Sequence, residues 1–242
     1  MATDPDAASD AERRWLAAYD ARQACYERHF GPLPANVHRL RNLMMVWPGG
    51  CLVECDGGPA GGSITISHGL TNADLPADPM LVGATIAGEL LDAGLLTEDE
   101  ADSIQTPEAR QVRQGLAGYG YELLVHTGHE ARWPLMFLDW AVPHEILHAL
   151  DLLNRVEEFG AITVEDVGLG HGRGADFLIA PAAAPLPTGL ELPNGTARLL
   201  VATAITRPEL VFALEHDGPS LLRLLTEHGH GQTSDLERPS VV

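Results

Sequence analysis

The chain has 242 residues, 45% of them apolar, with a mean hydropathy near zero, which is enough to bury a substantial core. Its 34 acidic residues face 15 basic ones, all arginine, for a formal charge of −19; such a field opposes nucleic-acid phosphate and anionic membranes and favours encounter with a basic protein. No apolar run reaches the ~18 residues a membrane span needs, and the acidic start Met1-Ala2-Thr3-Asp4-Pro5-Asp6 lacks the apolar stretch of a secretory signal, so a cytoplasmic location is expected.

In chain order, Ser9-x-x-Glu12 is a capping-box pattern that opens a first helix. Trp15, Leu16, Tyr19, Tyr26 and Phe30 follow at roughly helical spacing, and Gly31-Pro32 ends the segment. Strand-like runs at 51–55 ("CLVEC") and 63–67 ("SITIS") flank a turn rich in glycine and proline. Residues 80–105 change character: "GELLDAGLLTEDEADS" has helical periodicity, with acids at Glu89, Asp92, Glu98, Asp99, Glu100 and Asp102 and no base. Gly94 divides it into two short helices, with Thr97 capping the second.

Strand signals return at 120–126 ("GYELLVH"). A helix opens at Pro134, where proline suits the first turn, and its periodicity extends to about Val156. Strand-like runs at 161–167, 176–180 and 197–205 come next, then helices opening at Pro208 and Ser220, and a polar tail from His228 onward that is expected to fray. Strands interleaved with helices make the chain α/β or α+β, with no internal boundary between folded units.

Cys25, Cys51 and Cys55 have no disulfide spacing, and no partner ligands for a metal lie near them in sequence, so they read as reduced thiols. "GLGHGRG" at 168–174 does not satisfy the dinucleotide-binding glycine pattern and reads as a loop between strands. Ser63, Ser67 and Thr71 lie near His68 without the signature of a nucleophile elbow.

The sharpest motif is "HEILH" at 144–148. His144 and His148 stand one helical turn apart with Glu145 between them, the pattern by which zinc peptidases hold metal and general base. Three observations oppose that reading. Pro143 precedes the first histidine and disturbs the helix that must pair the imidazoles. No third ligand follows, since His148 is succeeded by Ala-Leu-Asp-Leu-Leu. Both histidines also fall on the polar stripe Phe137, Ala141, His144, His148, Asp151 and Arg155, opposite the apolar stripe Leu135, Leu138, Val142, Ile146, Ala149 and Leu153. His144 and His148 are therefore kept as reserve metal ligands only, and no catalytic set or cofactor site is assigned.

Five segments in order resemble the suppressor of fused family. "YERHFGPLPANVHRL" (26–40) resembles its opening helix and Phe-Gly-x-Pro turn. "ITISHGLTNADLP" (64–76) resembles its strand ending in Gly-Leu/Met-Ser, here Gly69-Leu70-Thr71. "YGYELLVHT" (119–127) matches through Glu122 and Leu123, "RWPLMFLDWAVPHE" (132–145) through Trp133 and Pro134, and "LPNGTARLLVATAITRPELVFALEHDGPSLLRLL" (192–225) resembles the closing unit through Asn194-Gly195 and Pro208-Glu209-Leu210. The resemblance implies a single-domain sandwich of a mixed β-sheet packed with helices over residues 26–230. An N-terminal helix (1–25) precedes it, an acidic helical insertion interrupts it at about 80–115, and a flexible tail (231–242) follows.

What the resemblance implies about function is protein binding without catalysis: a bacterial immunity or antitoxin-type protein that sequesters a basic partner, such as a toxin encoded nearby. The alternative is a zinc-dependent hydrolase using His144, Glu145 and His148. In the family, the region after the Gly-Leu-Ser strand contacts a partner through an acidic residue, which points to Asp74 and Asp78. Glu98, Asp99 and Glu100 are an independent acidic candidate surface. Bacterial members carry Pro-His-Glu at the end of the Trp-Pro helix, so His148 is the coincidence that completes the zinc-like string.

Overall fold

The computed structural model describes residues 9–40, 47, 50–57, 60–73, 75, 113–170 and 172–242. Helix α1 (Asp10–Phe30) starts where the capping signal places it: Ser9 Oγ accepts from the Glu12 N–H at 3.2 Å. Its buried residues Ala18, Arg22, Tyr26 and Phe30 recur every fourth position, so a single stripe lies on the sheet. The helix is continuous across the expected boundary at residue 25, and Leu16, expected on the packed side, is exposed.

Three strands follow, β1 (Cys51–Asp56), β2 (Ser63–His68) and β3 (Leu116–Thr127), paired antiparallel in that order. Strand β3 begins earlier than its periodicity suggests because Gly118 and Gly120 bend it through positive φ, which shifts its register between Leu116 and Tyr121. A Cβ at Gly118 would stand 2.2 Å from the Leu70 carbonyl oxygen, so that approach requires glycine.

Helix α2 (Trp133–His148) runs straight through Pro143, a correction to the expectation that proline would disturb it. It does not reach Val156: Ala149 and Asp151 take left-handed backbone (φ 51 and 55), and a separate helix α3 (Leu152–Phe159) begins. Strands β4 (Ile162–Gly168) and β5 (Gly174–Pro181) form a hairpin across the glycine-rich loop. Strand β6 (Gly189–Leu192), absent from the periodicity because it is so short, pairs with β7 (Gly195–Ile205). Helices α4 (Arg207–Glu215) and α5 (Gly218–Glu227) and the short β8 (Thr233–Ser234) complete the chain.

The result is a mixed α+β fold around one eight-stranded sheet, ordered β1-β2-β3-β7-β5-β4, with β6 on β7 and β8 on β3. The central pair β3–β7 is parallel and buried on both faces, which is why "YELLV" and "LLVATAI" are nearly continuous apolar runs. On one face Tyr121, Leu123, Leu200 and Phe177 pack against Phe137, Ile146, Leu153 and Val156 of α2 and α3. On the other, Ile64, Ile66, Leu124 and Val201 meet Tyr26 and Phe30 of α1, while Leu178 and Ile205 meet Leu210 and Leu221 of α4 and α5.

The expectation of a frayed tail is corrected by a buried ion pair. Glu209 and Arg238 face each other with both guanidinium nitrogens at 2.6 Å from the two carboxylate oxygens, and both side chains are inside the protein. The Thr206 and Val241 N–H groups also donate to Glu209, each at 2.9 Å. Burial pushes the Glu209 carboxyl up, but Arg238 and these amides more than offset it, so its pKa is lowered. The last twelve residues are held because an acid 29 positions earlier needs their arginine. Arg238→Ala should lower the unfolding free energy in urea by about 3–5 kcal/mol, and adding Glu209→Ala should cost much less than a second full increment. Because the Glu209 pKa is lowered on folding, its contribution is present above the ordinary value of about 4.3 and disappears as pH falls below it.

Candidate functional site

The zinc-like string is the first place to look for chemistry. Despite Pro143, the two imidazoles lie side by side with ring centres 5.3 Å apart, and the Trp140 indole packs against His144 in a tilted arrangement at 4.6 Å. His144 Nδ1–H donates to the Trp140 carbonyl at 2.7 Å. The carboxylate belongs to a different environment. Glu145 is buried, and its Oε2 accepts from the Leu152 N–H at 3.2 Å, capping the free amides at the start of α3. Asp151, at the usual capping position, leaves that role to it and binds the Asn154 amide instead. The motif's glutamate is therefore a helix cap reached from the previous helix, on the side away from the half-buried His144 and exposed His148. Phe137 and Ala141, placed by periodicity on the polar stripe, are in the core. Among the described residues no group of three or more histidine, cysteine or acidic side chains is positioned to hold a metal ion.

The densest polar arrangement lies elsewhere, where α1 crosses the ends of β2 and β3. Glu122 projects from β3 and is fully buried. Its Oε1 accepts from the Gly69 and Thr71 N–H groups (both 3.0 Å) and from Thr71 Oγ1 (2.7 Å); its Oε2 accepts from Ser67 Oγ (2.5 Å). Gly69 sits at φ 143 against Trp47 and Gly50, a conformation and a proximity that both exclude a side chain. From α1, Arg22 donates to Thr71 Oγ1 and to Asn72 Oδ1, each at 2.8 Å, and lies 3.7 Å from Glu122 Oε1. Tyr26 O–H donates to the Ser67 carbonyl (2.8 Å), and burial holds its phenol well above the usual tyrosine range. Asn194, in the β6–β7 turn, donates to the Thr71 carbonyl at 3.0 Å.

This set uses up its own reactive groups. The Ser67 and Thr71 hydroxyls donate their hydrogen bonds to Glu122, so neither is directed at His68. The His68 ring is buried between Tyr19 and Tyr26, with centres 4.8 and 5.5 Å away, and its Nδ1 finds no hydrogen-bond partner. Burial first, and then the Arg22 charge, push its pKa down to about 3. Cys51 and Cys55 are buried on the α1 side of β1, and loss of solvation raises them to about 11 and about 12, which keeps them as thiols. The Glu122 arrangement is thus a joint between elements, and Gly69-Leu70-Thr71, Glu122 and Asn194, which carry the family resemblance, meet in it.

The sequence-based partner-contact residues Asp74, Asp78, Glu98, Asp99 and Glu100 lie outside the described residues, as does most of the 80–115 segment. The described surface shows an acidic region that periodicity did not indicate. A groove of about 860 Å³ runs beside the outer edge of β1, with Glu54, Asp56 and Glu130 on its walls. Its acids come from two separated stretches of chain, β1 and the segment before α2, so only the fold assembles them. No described helix is long and apolar enough to cross a membrane.

No family model and no curated protein sequence matches the chain. Solved structures do. The crystal structure of a Sufu–Fu complex superposes with a TM-score of 0.50 at 17% identity, covering 94% of this chain and 92% of that one. Drosophila Suppressor of Fused gives a TM-score of 0.39 at 15% identity, over 75% of this chain and 39% of that one. The fold is Sufu-like, in agreement with the architecture that the five sequence segments imply.

Two measurements follow. Glu145→Ala should destabilise the protein by about 1 kcal/mol through loss of the α3 cap, whereas His148→Ala should leave the unfolding midpoint unchanged; a motif working in catalysis gives no reason for that asymmetry. His68 has its pKa depressed on folding, so the unfolded chain binds the extra proton and stability falls as pH drops from about 6.5 towards 3. Replacing it by phenylalanine should flatten that part of the urea-midpoint profile.

Proposed function

We propose that the chain is a non-enzymatic protein-binding domain, cytoplasmic and of the bacterial immunity or antitoxin type, that sequesters a basic partner protein. The observation that carries the reading is a Sufu-like fold spanning nearly the whole chain, in a protein of formal charge −19 with no lysine. The similar structure is that of a complex of Sufu with Fu, and a binding role comes from there to this chain as part of the proposal. Charge supplies the choice of partner. A protein that acts on nucleic acid must present arginine and lysine to phosphate, and an acidic surface meets such a protein quickly and in a preferred orientation. Asp74 and Asp78 after the β2 turn, and Glu98, Asp99 and Glu100 in the acidic segment, are the sequence-based contact residues in this reading.

The zinc-hydrolase reading lacks comparable support. Its general base would be Glu145, whose carboxylate is buried and engaged with the Leu152 amide.

The test is titration calorimetry of the purified chain against the basic protein encoded beside its gene. A complex with micromolar or tighter affinity in low salt is expected, weakening by about tenfold or more as the salt rises to several tenths molar. Neutralising Glu98, Asp99 and Glu100 together should slow association more than it speeds dissociation. Absence of a complex at micromolar concentration in low salt would count against the proposal.

A further inference from the structure

Among the described residues, the outer edge of β1 is covered only at Leu52. His38 bridges to Leu52, its N–H donating to the Leu52 carbonyl at 2.9 Å and its carbonyl accepting the Leu52 N–H at 2.7 Å. In an antiparallel ladder the backbone groups of alternate residues point to opposite sides of the strand. Leu52 points outward, so Glu54 points outward too, while Cys51, Val53 and Cys55 turn to β2. The pairing stops at His38, and the Glu54 N–H and carbonyl have no backbone partner among the described residues. Glu54 also lines the groove of about 860 Å³, together with Pro32, Pro34, Glu130 and Arg132.

The groove's character selects its occupant. Glu54, Asp56 and Glu130 give it three carboxylates against the single Arg132, and the Glu54 carboxylate is shared with His38 at 2.7 Å. A smaller hollow of about 230 Å³ continues from it past Leu40, Leu52 and Met136, with room for one apolar side chain. Prolines on the wall have no N–H to compete for the edge, and the other outer strand, β4, is protected by the bulge at Asp166 and by Arg207, which crosses to Glu165 and Asp176.

We propose that the outer edge of β1 at Glu54 receives an extended segment of a basic protein as an added strand. The segment runs along β1 next to the His38 bridge, hydrogen-bonds to the Glu54 backbone, sets arginine or lysine against Glu54, Asp56 and Glu130, and drops an apolar residue into the hollow beside Met136. Main-chain pairing supplies affinity and the alternation of basic and apolar residues supplies selectivity. This deepens the binding reading above by giving it a surface and a recognition mode.

The probe is a fluorescein-labelled nine-residue peptide alternating arginine and valine, followed by anisotropy against the full chain. Three comparisons decide the matter: the same peptide N-methylated at alternate amides, a groove variant (Glu54→Gln, Asp56→Asn, Glu130→Gln), and a charge-matched variant at exposed distant sites (Glu158→Gln, Glu191→Gln, Glu215→Gln). The expected result is that methylation and the groove variant each weaken binding by about tenfold or more, with the distant variant within about twofold of the parent. Equal loss in both variants would overturn the proposal in favour of a diffuse attraction to the whole surface, and indifference to methylation would overturn strand addition. If the neighbouring basic protein binds and the groove variant binds it equally well, the groove fails while the sequestering role stands; if neither peptide nor protein binds, the role itself fails.

Discussion

The position of α1 on the sheet depends on how one buried carboxylate is satisfied. Glu122 enters the interior from a central strand, where an ionised group without partners would cost several kcal/mol. Four hydrogen bonds and the nearby Arg22 guanidinium answer it. Three of the donors come from the turn after β2, so the turn must curl around the carboxylate, and glycine at 69 is what lets it do so. Arg22 then engages the same turn through Thr71 and Asn72. An apolar contact would hold α1 about as firmly but would tolerate sliding; directional bonds from one arginine to two side chains do not. Asn194 adds the β6–β7 turn to the joint, so one acid relates α1, β2, β3 and β7.

The second buried pair, Glu209 with Arg238, does the same at the other end of the chain, fastening the final residues to α4. Both pairs are electrically neutral, so burying them takes one acid and one base each out of the surface count and leaves the excess of nineteen acids unchanged. The arginines that remain are often committed to surface acids: Arg113 and Arg198 both reach Glu157, and Arg207 reaches Glu165 and Asp176. Such exposed pairs add little stability, but they tie up the few positive groups available. What an approaching molecule meets carries an excess of acid over base, with local relief supplied by shape. The groove beside β1 matters for that reason: it combines the common charge with strand backbone that is unpaired among the described residues.

Local signals were legible where local physics sets the outcome. The Ser9 cap, the Gly31 stop, the Pro134 helix start and the apolar central strands each follow from residues within one or two turns of the feature. Features decided across the fold were not legible. Nothing in His148-Ala-Leu-Asp-Leu-Leu announces a break, since neither glycine nor proline is present; the left-handed residues at Ala149 and Asp151 exist because Glu145 caps the helix that begins after them. The C-terminal residues are polar and read as loose, yet Ser234 and Arg238 are buried because partners at Ala204 and Glu209 await them. Strand β6 is too short to show a period. The family-like motifs were recognisable as strings, while their common purpose, gathering around Glu122, needed coordinates.

The zinc-like string shows why spacing is a weaker statement than orientation. Residues at i and i+4 of any helix share a face, so the two histidines stand together here as they would in an enzyme. Glutamate at i+1 is turned about 100° from the first histidine in an ideal helix, and the carboxylate's reach then depends on what lies on that side. In this protein that side is the start of α3, whose unpaired amides are a stronger local attraction for an anion than open solvent. Once Glu145 is drawn inward, the pair of imidazoles is left toward the surface with an indole packed against one of them and no base beside a reacting site. The same five letters therefore describe a peptidase centre or a helix junction, and the element that follows the second histidine decides between them.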